Sequence, residues 1–299
     1  MDKKVLAVVV TYNRKKLLKE CISALLSQSY EQLQILIVDN ASTDGTEEVV
    51  KQLTEPQINY VNTGANLGGA GGFQFGIREG MKMGADYLWL MDDDSIPTKS
   101  ALQCLMFSAQ NLGNFGFLSS KVLWKDHSMC RMNIPKVSIY HKLRNFDGSP
   151  NRIEMATFVS FLVPTKVVDQ VGLPIKEFFI WSDDLEYSSR IAAKYPCYFI
   201  PASVIIHKCQ SNNGSNIVSD SPERLGRYKY AYRNEVYLYR RAGLLGWLHI
   251  LLKDTRDLVQ VLTRSRSKKL VRANIIIGSA LRGLIFHPKV EYYSTGSND

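Results

Sequence analysis

Apolar and polar positions along the first hundred residues follow a rhythm that switches between two periods. Val5-Leu6-Ala7-Val8-Val9-Val10-Thr11 is a short, continuous, β-branched run, the pattern of a strand covered on both faces of a parallel sheet. Leu17, Leu18, Cys21, Ile22, Leu25 and Leu26 then recur at helical spacing. A second strand-like run, Leu33-Gln34-Ile35-Leu36-Ile37-Val38-Asp39, follows. The stretch from Ser42 to Glu48 supplies capping side chains for another helix, and Ile58-Asn59-Tyr60-Val61 reads as a third strand. Strand, helix, strand, helix, strand with short connections predicts a right-handed, mostly parallel α/β sheet with flanking helices. Ligands of such sheets sit at the carboxyl ends of the strands. Those ends are Thr11-Tyr12-Asn13-Arg14, Asp39-Asn40, Asn66-Leu67-Gly68-Gly69 and Asp92-Asp93-Asp94.

Further along, residues 119–156 mix Pro, Gly, Asn and charges with weak periodicity and are expected to form an irregular excursion beside the site. Cys209 to Asn216 reads as a mobile polar loop. From about Leu225 onward the pattern is helical and dense in Tyr and Arg. The expected division is a catalytic region over 1–220 and a helical region over 221–299.

The acidic run Asp92-Asp93-Asp94 closes the apolar segment Tyr87-Leu88-Trp89-Leu90-Met91. In extended backbone, residues i and i+2 point the same way, so Asp92 and Asp94 can converge while Asp93 points elsewhere. Carboxylates this close need a compensating cation or proton, and hard oxygen ligands suit Mg²⁺ or Mn²⁺.

Composition then narrows the class. The chain has 299 residues, 45% hydrophobic and 22% charged, which excludes a disordered tail and fits one large domain or a domain with an appendage. The net charge of +9 is segregated: residues 1–220 hold 22 Lys+Arg against 22 Asp+Glu, and residues 221–299 hold 15 against 6. A basic segment can serve nucleic acid or an anionic membrane. The apolar run 243–252, flanked by Arg240, Arg241, Lys253 and Arg256, is shorter than the ~20 residues needed to span a bilayer and is expected to be an interfacial helix. The five cysteines show no CxxC pair, which argues against a disulfide framework or a zinc site. The N-terminal residues lack signal-peptide architecture. The expected compartment is reducing and cytoplasmic.

Taken in order, Val9-Val10-Thr11-Tyr12-Asn13-Arg14, Ile37 to Thr46, the acidic run and Trp181-Ser182-Asp183-Asp184-Leu185-Glu186 resemble the motifs of family-2 glycosyltransferases of GT-A fold, over roughly residues 4–210. Asn66-Leu67-Gly68-Gly69-Ala70-Gly71-Gly72-Phe73 is similar to a segment of galactofuranosyltransferases and related rhamnosyltransferases; its glycines permit close backbone approach to a diphosphate. The resemblance implies that Thr11, Asn13, Arg14 and Asp39 cradle the nucleotide base, that Asn66, Gly68 and Gly69 line the ribose and diphosphate, and that Asp93 touches the ribose. It implies Asp92 and Asp94 as metal ligands, with His207, at the end of Ala202–Ile206, as a third. It implies Asp184 as the general base of an inverting transfer, Asp183 as an orienting residue for acceptor hydroxyls, and Trp181 as a stacking platform for a sugar. The Asp183-Asp184 pair is also suited to capping a helix over 185–194, and His207 to an ordinary hydrogen-bonding role.

The function expected is transfer of galactofuranose from UDP-galactofuranose to a hydroxyl of a lipid-linked bacterial glycan, on the inner face of the plasma membrane, with Mn²⁺ or Mg²⁺. Transfer of rhamnose from dTDP-rhamnose is the alternative. A nucleic-acid-binding module using the Tyr/Arg-rich helices is disfavoured, because the positive charge lies away from the acidic motifs and no RNA-binding signature is present. Oligomeric state is left open.

Overall fold

The computed structural model describes residues 3–293. The expected alternation is present as β1 (Val5–Thr11), α1 (Lys15–Leu26), β2 (Leu33–Asp39), α2 (Thr46–Lys51), β3 (Ile58–Asn62), α3 (Gly68–Lys82) and β4 (Tyr87–Asp92). A tight turn at Asp93-Asp94 leads into β5 (Ser95–Pro97), α4 (Ala101–Leu112) and β6 (Leu118–Trp124). Three very short strands follow, β7 (Lys136–Ser138), β8 (His141–Lys142) and β9 (Asn151–Arg152). The chain then forms β10 (Phe161–Pro164), α5 (Thr165–Val171), α6 (Asp183–Ala192) and β11 (Tyr198–His207). It ends in α7 (Leu225–Arg240), α8 (Gly243–Arg264) and α9 (Lys269–Leu284).

The main sheet has the order β3-β2-β1-β4-β10-β6-β11-β5, with β9 on β11. Strands β1 to β4 pair in parallel and β6 pairs in parallel with β11, while β10, β5 and β9 pair antiparallel. Every residue of β1 is buried because both faces are covered. Leu18, Cys21 and Leu102 pack on one side, and Phe73, Ile77 and Val167 on the other. Register aligns Thr11 with Asp39 and Val10 with Asp92, so three polar strand ends share one edge of the sheet.

The expected irregularity of 119–156 fails for its first part, since Leu118–Trp124 is an interior strand. Ser119 and Ser120 break its apolar pattern yet are buried. The Ser120 hydroxyl is satisfied by Ser160 and Ser203, each at 2.7 Å, and Trp89 donates to Ser160 at 2.8 Å. A buried hydroxyl chain of this kind reads as polar in sequence but meets the requirement that buried polar groups be bonded.

The glycine-rich segment opens α3, and glycines at 68, 72, 76 and 80 lie along one side of it. A Cβ at Gly72 would stand 2.6 Å from Val10 Cγ1, and one at Gly80 2.7 Å from Leu88 Cδ2. These glycines let the helix seat directly on β1 and β4, a use that the diphosphate expectation did not include. Gly69 faces open space.

Helices α7 to α9 pack on one another around Leu225, Tyr228, Tyr232, Val261 and Ile276. The chain then returns to the sheet domain, where Glu291 pairs with Arg78 at 2.8 Å and Lys176 at 2.6 Å. Residues 294–299 of the expected second region lie outside the described residues. Among the described residues, no helix is long and apolar enough to cross a membrane.

Candidate functional site

The acidic run does not stay extended. Asp92 ends β4 and the next two aspartates form the turn into β5. β5 pairs antiparallel with β11, so His207 lies opposite Ser95, and the Lys208 amide donates to the Asp94 carbonyl at 2.9 Å. That pairing brings residues 113 positions apart into contact: His207 Nε2 is 3.1 Å from Asp94 Oδ1. Ligand atoms of Asp92, Asp94 and His207 lie within 4.8 Å of one another.

The electrostatics of this cluster fit a cation. Burial, reinforced by the charge of Asp94, pushes the Asp92 carboxyl up to about 6. Burial also works against ionisation of Asp94, but the hydrogen bond and charge of His207 outweigh it and hold Asp94 low. For His207 burial favours the neutral ring, yet the bond to Asp94 dominates among the opposing contacts and pushes it up to about 12. Two converging, buried carboxylates and an imidazole are a donor set that fits a divalent metal.

Thr11 and Arg14, expected at the base, face the acidic run. The Thr11 hydroxyl donates to Asp93 Oδ2 at 2.7 Å, and Arg14 Nη1 reaches Asp93 at 3.3 Å and Asp94 at 2.9 Å. Burial pushes the Asp93 carboxyl up to about 7 despite the Arg14 charge. Asp39 accepts from the Ser42 amide and the Tyr60 hydroxyl, both at 2.8 Å. Asn13, with φ of 54°, bonds the Ser42-Thr43 loop through its own amide and its side-chain oxygen. Asn66 accepts from the Gly68 amide at 2.9 Å, anchoring the start of α3. These residues surround the strand ends as a connected polar rim.

Asp183 and Asp184 form the first turn of α6, and the Leu185 amide donates to Asp184 Oδ1 at 2.7 Å. Burial raises both carboxyls above the ordinary range; the Asp184 charge adds to the effect on Asp183 and that of Asp92 to the effect on Asp184. The charges of the two acidic clusters thus raise each other's proton affinity. Ahead of them, Phe179, Trp181 and Ser182 all have left-handed φ, at 63°, 67° and 66°. Such conformations cost ~1–3 kcal/mol each for non-glycine residues and persist only where surroundings enforce them. Trp181 packs on Tyr228 with ring centres 5.2 Å apart.

What enforces this backbone lies in the C-terminal helices and was not among the residues singled out from sequence. Asn234 of α7 is fully buried and its Nδ2 donates to the carbonyls of Phe178, Ile180 and Trp181 at 3.0, 3.2 and 2.9 Å. From the other side, the Ala70 amide donates to the Phe179 carbonyl at 3.1 Å, and a Cβ at Gly68 would overlap that carbonyl. Glu186, also fully buried, pairs with Arg190 and with Arg241 just past α7, each at 3.0 Å. Lys136, in the segment expected to be irregular, lowers the proton affinity of Asp184 by its charge. The only sequence signal for Asn234 was a polar residue on the apolar side of a helix.

Residues 6–152 match the family model described as glycosyl transferase family 2. The chain is 26% identical, over 90% of its length and 96% of the relative's, to a galactofuranosyltransferase of Mycolicibacterium smegmatis. It is 29% identical, over 78% and 81% of the two chains, to a putative colanic acid biosynthesis glycosyl transferase of Escherichia coli. Among solved structures it is similar to a mannosyltransferase of Pyrobaculum calidifontis bound to GDP-Man and Mn²⁺, with a TM-score of 0.58 and 15% identity, covering 95% of this chain and 76% of the other. It is also similar to the S. aureus protein TarS bound to UDP, with a TM-score of 0.57 and 12% identity, covering 95% and 72%. The parallel sheet, the acidic turn at its edge and the match over residues 6–152 agree: the chain carries a glycosyl transferase family 2 domain over those residues and has a GT-A fold.

Proposed function

We propose that this glycosyltransferase moves galactofuranose from UDP-galactofuranose, with inversion, to a hydroxyl of a lipid-linked bacterial glycan. The observation that carries the reading is the likeness to a galactofuranosyltransferase along nearly the whole of both chains, together with two acidic clusters whose charges raise each other's proton affinity. A rhamnosyl donor, dTDP-rhamnose, is the alternative.

In this reading Asp184 is the general base. Its Oδ1 is held by the Leu185 amide, which leaves Oδ2 to take the proton from the acceptor hydroxyl. A raised proton affinity suits it to that task near neutral pH. Asp183 orients acceptor hydroxyls and Trp181 offers its ring to an acceptor sugar. Thr11, Asn13, Arg14 and Asp39 flank the nucleotide base, Asn66, Gly68 and Gly69 the diphosphate, and Asp93 the ribose. Asp92, Asp94 and His207 would hold Mn²⁺ or Mg²⁺, which when bound supplies positive charge for the departing nucleoside diphosphate.

The acceptor side of the proposal rests on α8 and α9. Leu244, Leu248, Leu251, Val259 and Leu262 are exposed along one face of α8, and Leu281 and Ile285 are exposed at the end of α9. An apolar stripe bordered by Lys and Arg suits peripheral docking on an anionic membrane, here the cytoplasmic face of the plasma membrane. Incubation of the purified chain with each sugar nucleotide and a lipid-linked acceptor tests the donor: turnover of dTDP-rhamnose alone removes the galactofuranose reading.

A further inference from the structure

The acidic turn is not the only cluster that His207 serves. Behind the ring, on the Nδ1 side, the thiols of Cys130 and Cys209 converge, and Cys130 Sγ, His207 and Cys209 Sγ offer ligand atoms within 4.8 Å of one another. Cys130 Sγ is 3.8 Å from His207 Nδ1. A thiolate at about 2.3 Å and an imidazole nitrogen at about 2.0–2.1 Å on a tetrahedral zinc stand about 3.6 Å apart, close to the separation seen here. A thioether joins the group, since Met132 Sδ lies 3.7 Å from Cys209 Sγ.

The surroundings hold this cluster in place. Cys130 and His207 both bond the same oxygen, Asn133 Oδ1, at 2.9 and 2.8 Å, so one amide fixes the orientation of both groups. The loops carrying the cysteines are tied together by Asn212, which accepts from the Arg131 amide at 2.7 Å and donates to the Met129 carbonyl at 3.0 Å. On the far side of the ring Nε2 faces Asp94, and a metal-bound imidazole commonly gives its other N–H to a carboxylate. The ligands come from positions 130 and 207–209, so no CxxC spacing announces them in the sequence.

We propose that Cys130, Cys209 and His207 Nδ1, with Met132 at the margin, form a binding site for a thiophilic cation of the Zn²⁺ class, distinct from the hard-metal cluster of Asp92 and Asp94. The two sites share one imidazole. Zn²⁺ on Nδ1 keeps the Nε2 proton directed at Asp94 and so withholds His207 from the carboxylate cluster. Thiophilic metal therefore opposes activation by Mn²⁺ or Mg²⁺. This competitive consequence rests on the proposed metal role of Asp92, Asp94 and His207; the binding site itself does not.

The test uses the full chain, reduced and stripped of metal, titrated with Co²⁺. Intense near-ultraviolet thiolate-to-cobalt absorption, displaced by one equivalent of Zn²⁺, is the expected result. Cys209→Ser, in a half-exposed loop position, is expected to weaken the band, and Cys130→Ser with Cys209→Ser to abolish it, while Mn²⁺-dependent turnover persists. Absence of the band, or a band that survives the double substitution, overturns the site. In a second arm, Zn²⁺ is expected to raise the Mn²⁺ concentration needed for half-maximal turnover in the native chain at least tenfold more than in Cys209→Ser. Equal inhibition of both, with the Co²⁺ band intact, removes the competition and places the inhibitory Zn²⁺ at Asp92 and Asp94.

Discussion

Replacing Asn234 by Ala tests whether the C-terminal helices govern the catalytic segment. The amide donates to three carbonyls around Phe179, Trp181 and Ser182, whose left-handed backbone stores strain. Its two N–H groups contribute about 1 kcal/mol each, and a carbonyl left unpaired in the interior adds about 1 kcal/mol. The sum, about 3 kcal/mol, is comparable to the strain stored in the segment at ~1–3 kcal/mol per residue, so the segment relaxes rather than stays in place. At 1.4 kcal/mol per factor of ten, the conformer that aims Asp184 falls about 100-fold in population, and kcat is expected to fall with it. Asn234 acts through the segment and is a positioning residue, so the informative readout is a split. Turnover drops, UDP affinity by calorimetry changes less than about threefold, and circular dichroism shows the helices intact. Asn234→Asp keeps the shape but loses the donors, and is expected to be at least as damaging. A variant with native kcat, or one whose turnover and UDP binding fall together, refutes the reasoning.

Asp184→Asn is expected to lower kcat by about 10²–10⁴-fold with UDP affinity retained; equal loss of both would make the residue structural. Because burial pushes Asp184 up to about 7, it is protonated at low pH and ionised above, so turnover should rise with pH through that value; a rate flat across it argues against Asp184 as the base. EDTA should abolish transfer, and because the contact with Asp94 raises the proton affinity of His207, Mn²⁺ binding should release protons, seen as a buffer-dependent heat that His207→Ala diminishes. Gly72→Ala drives a methyl to 2.6 Å from Val10 Cγ1 and should cost about 1–3 kcal/mol of stability by denaturant unfolding; an unchanged midpoint would mean that α3 shifts freely. Flotation with anionic vesicles at low salt should carry the full chain upward and fail when Leu248 and Leu251 are changed to Asp; flotation unaffected by those changes removes α8 as the docking face.

The sequence alone determined the architecture of the first hundred residues, because a strand buried on both faces and an amphipathic helix each carry their own period, and short connections leave few topologies. It also marked the acidic strand end, since three consecutive carboxylates after an apolar run are local information. It did not disclose β6, whose buried Ser119 and Ser120 read as polar, the Ser120 hydroxyl finding its partners in Ser160 and Ser203. Nor did it show that the glycines of α3 serve packing against Val10 and Leu88, because a missing side chain does not say what approaches it. Only the tertiary structure decided that His207 meets Asp94 through β5, that Cys130 and Cys209 meet behind the same ring, and that Asn234 holds the segment before Asp183. Each of these joins residues far apart in the chain, and such contacts depend on strand register and helix seating, which no local pattern encodes.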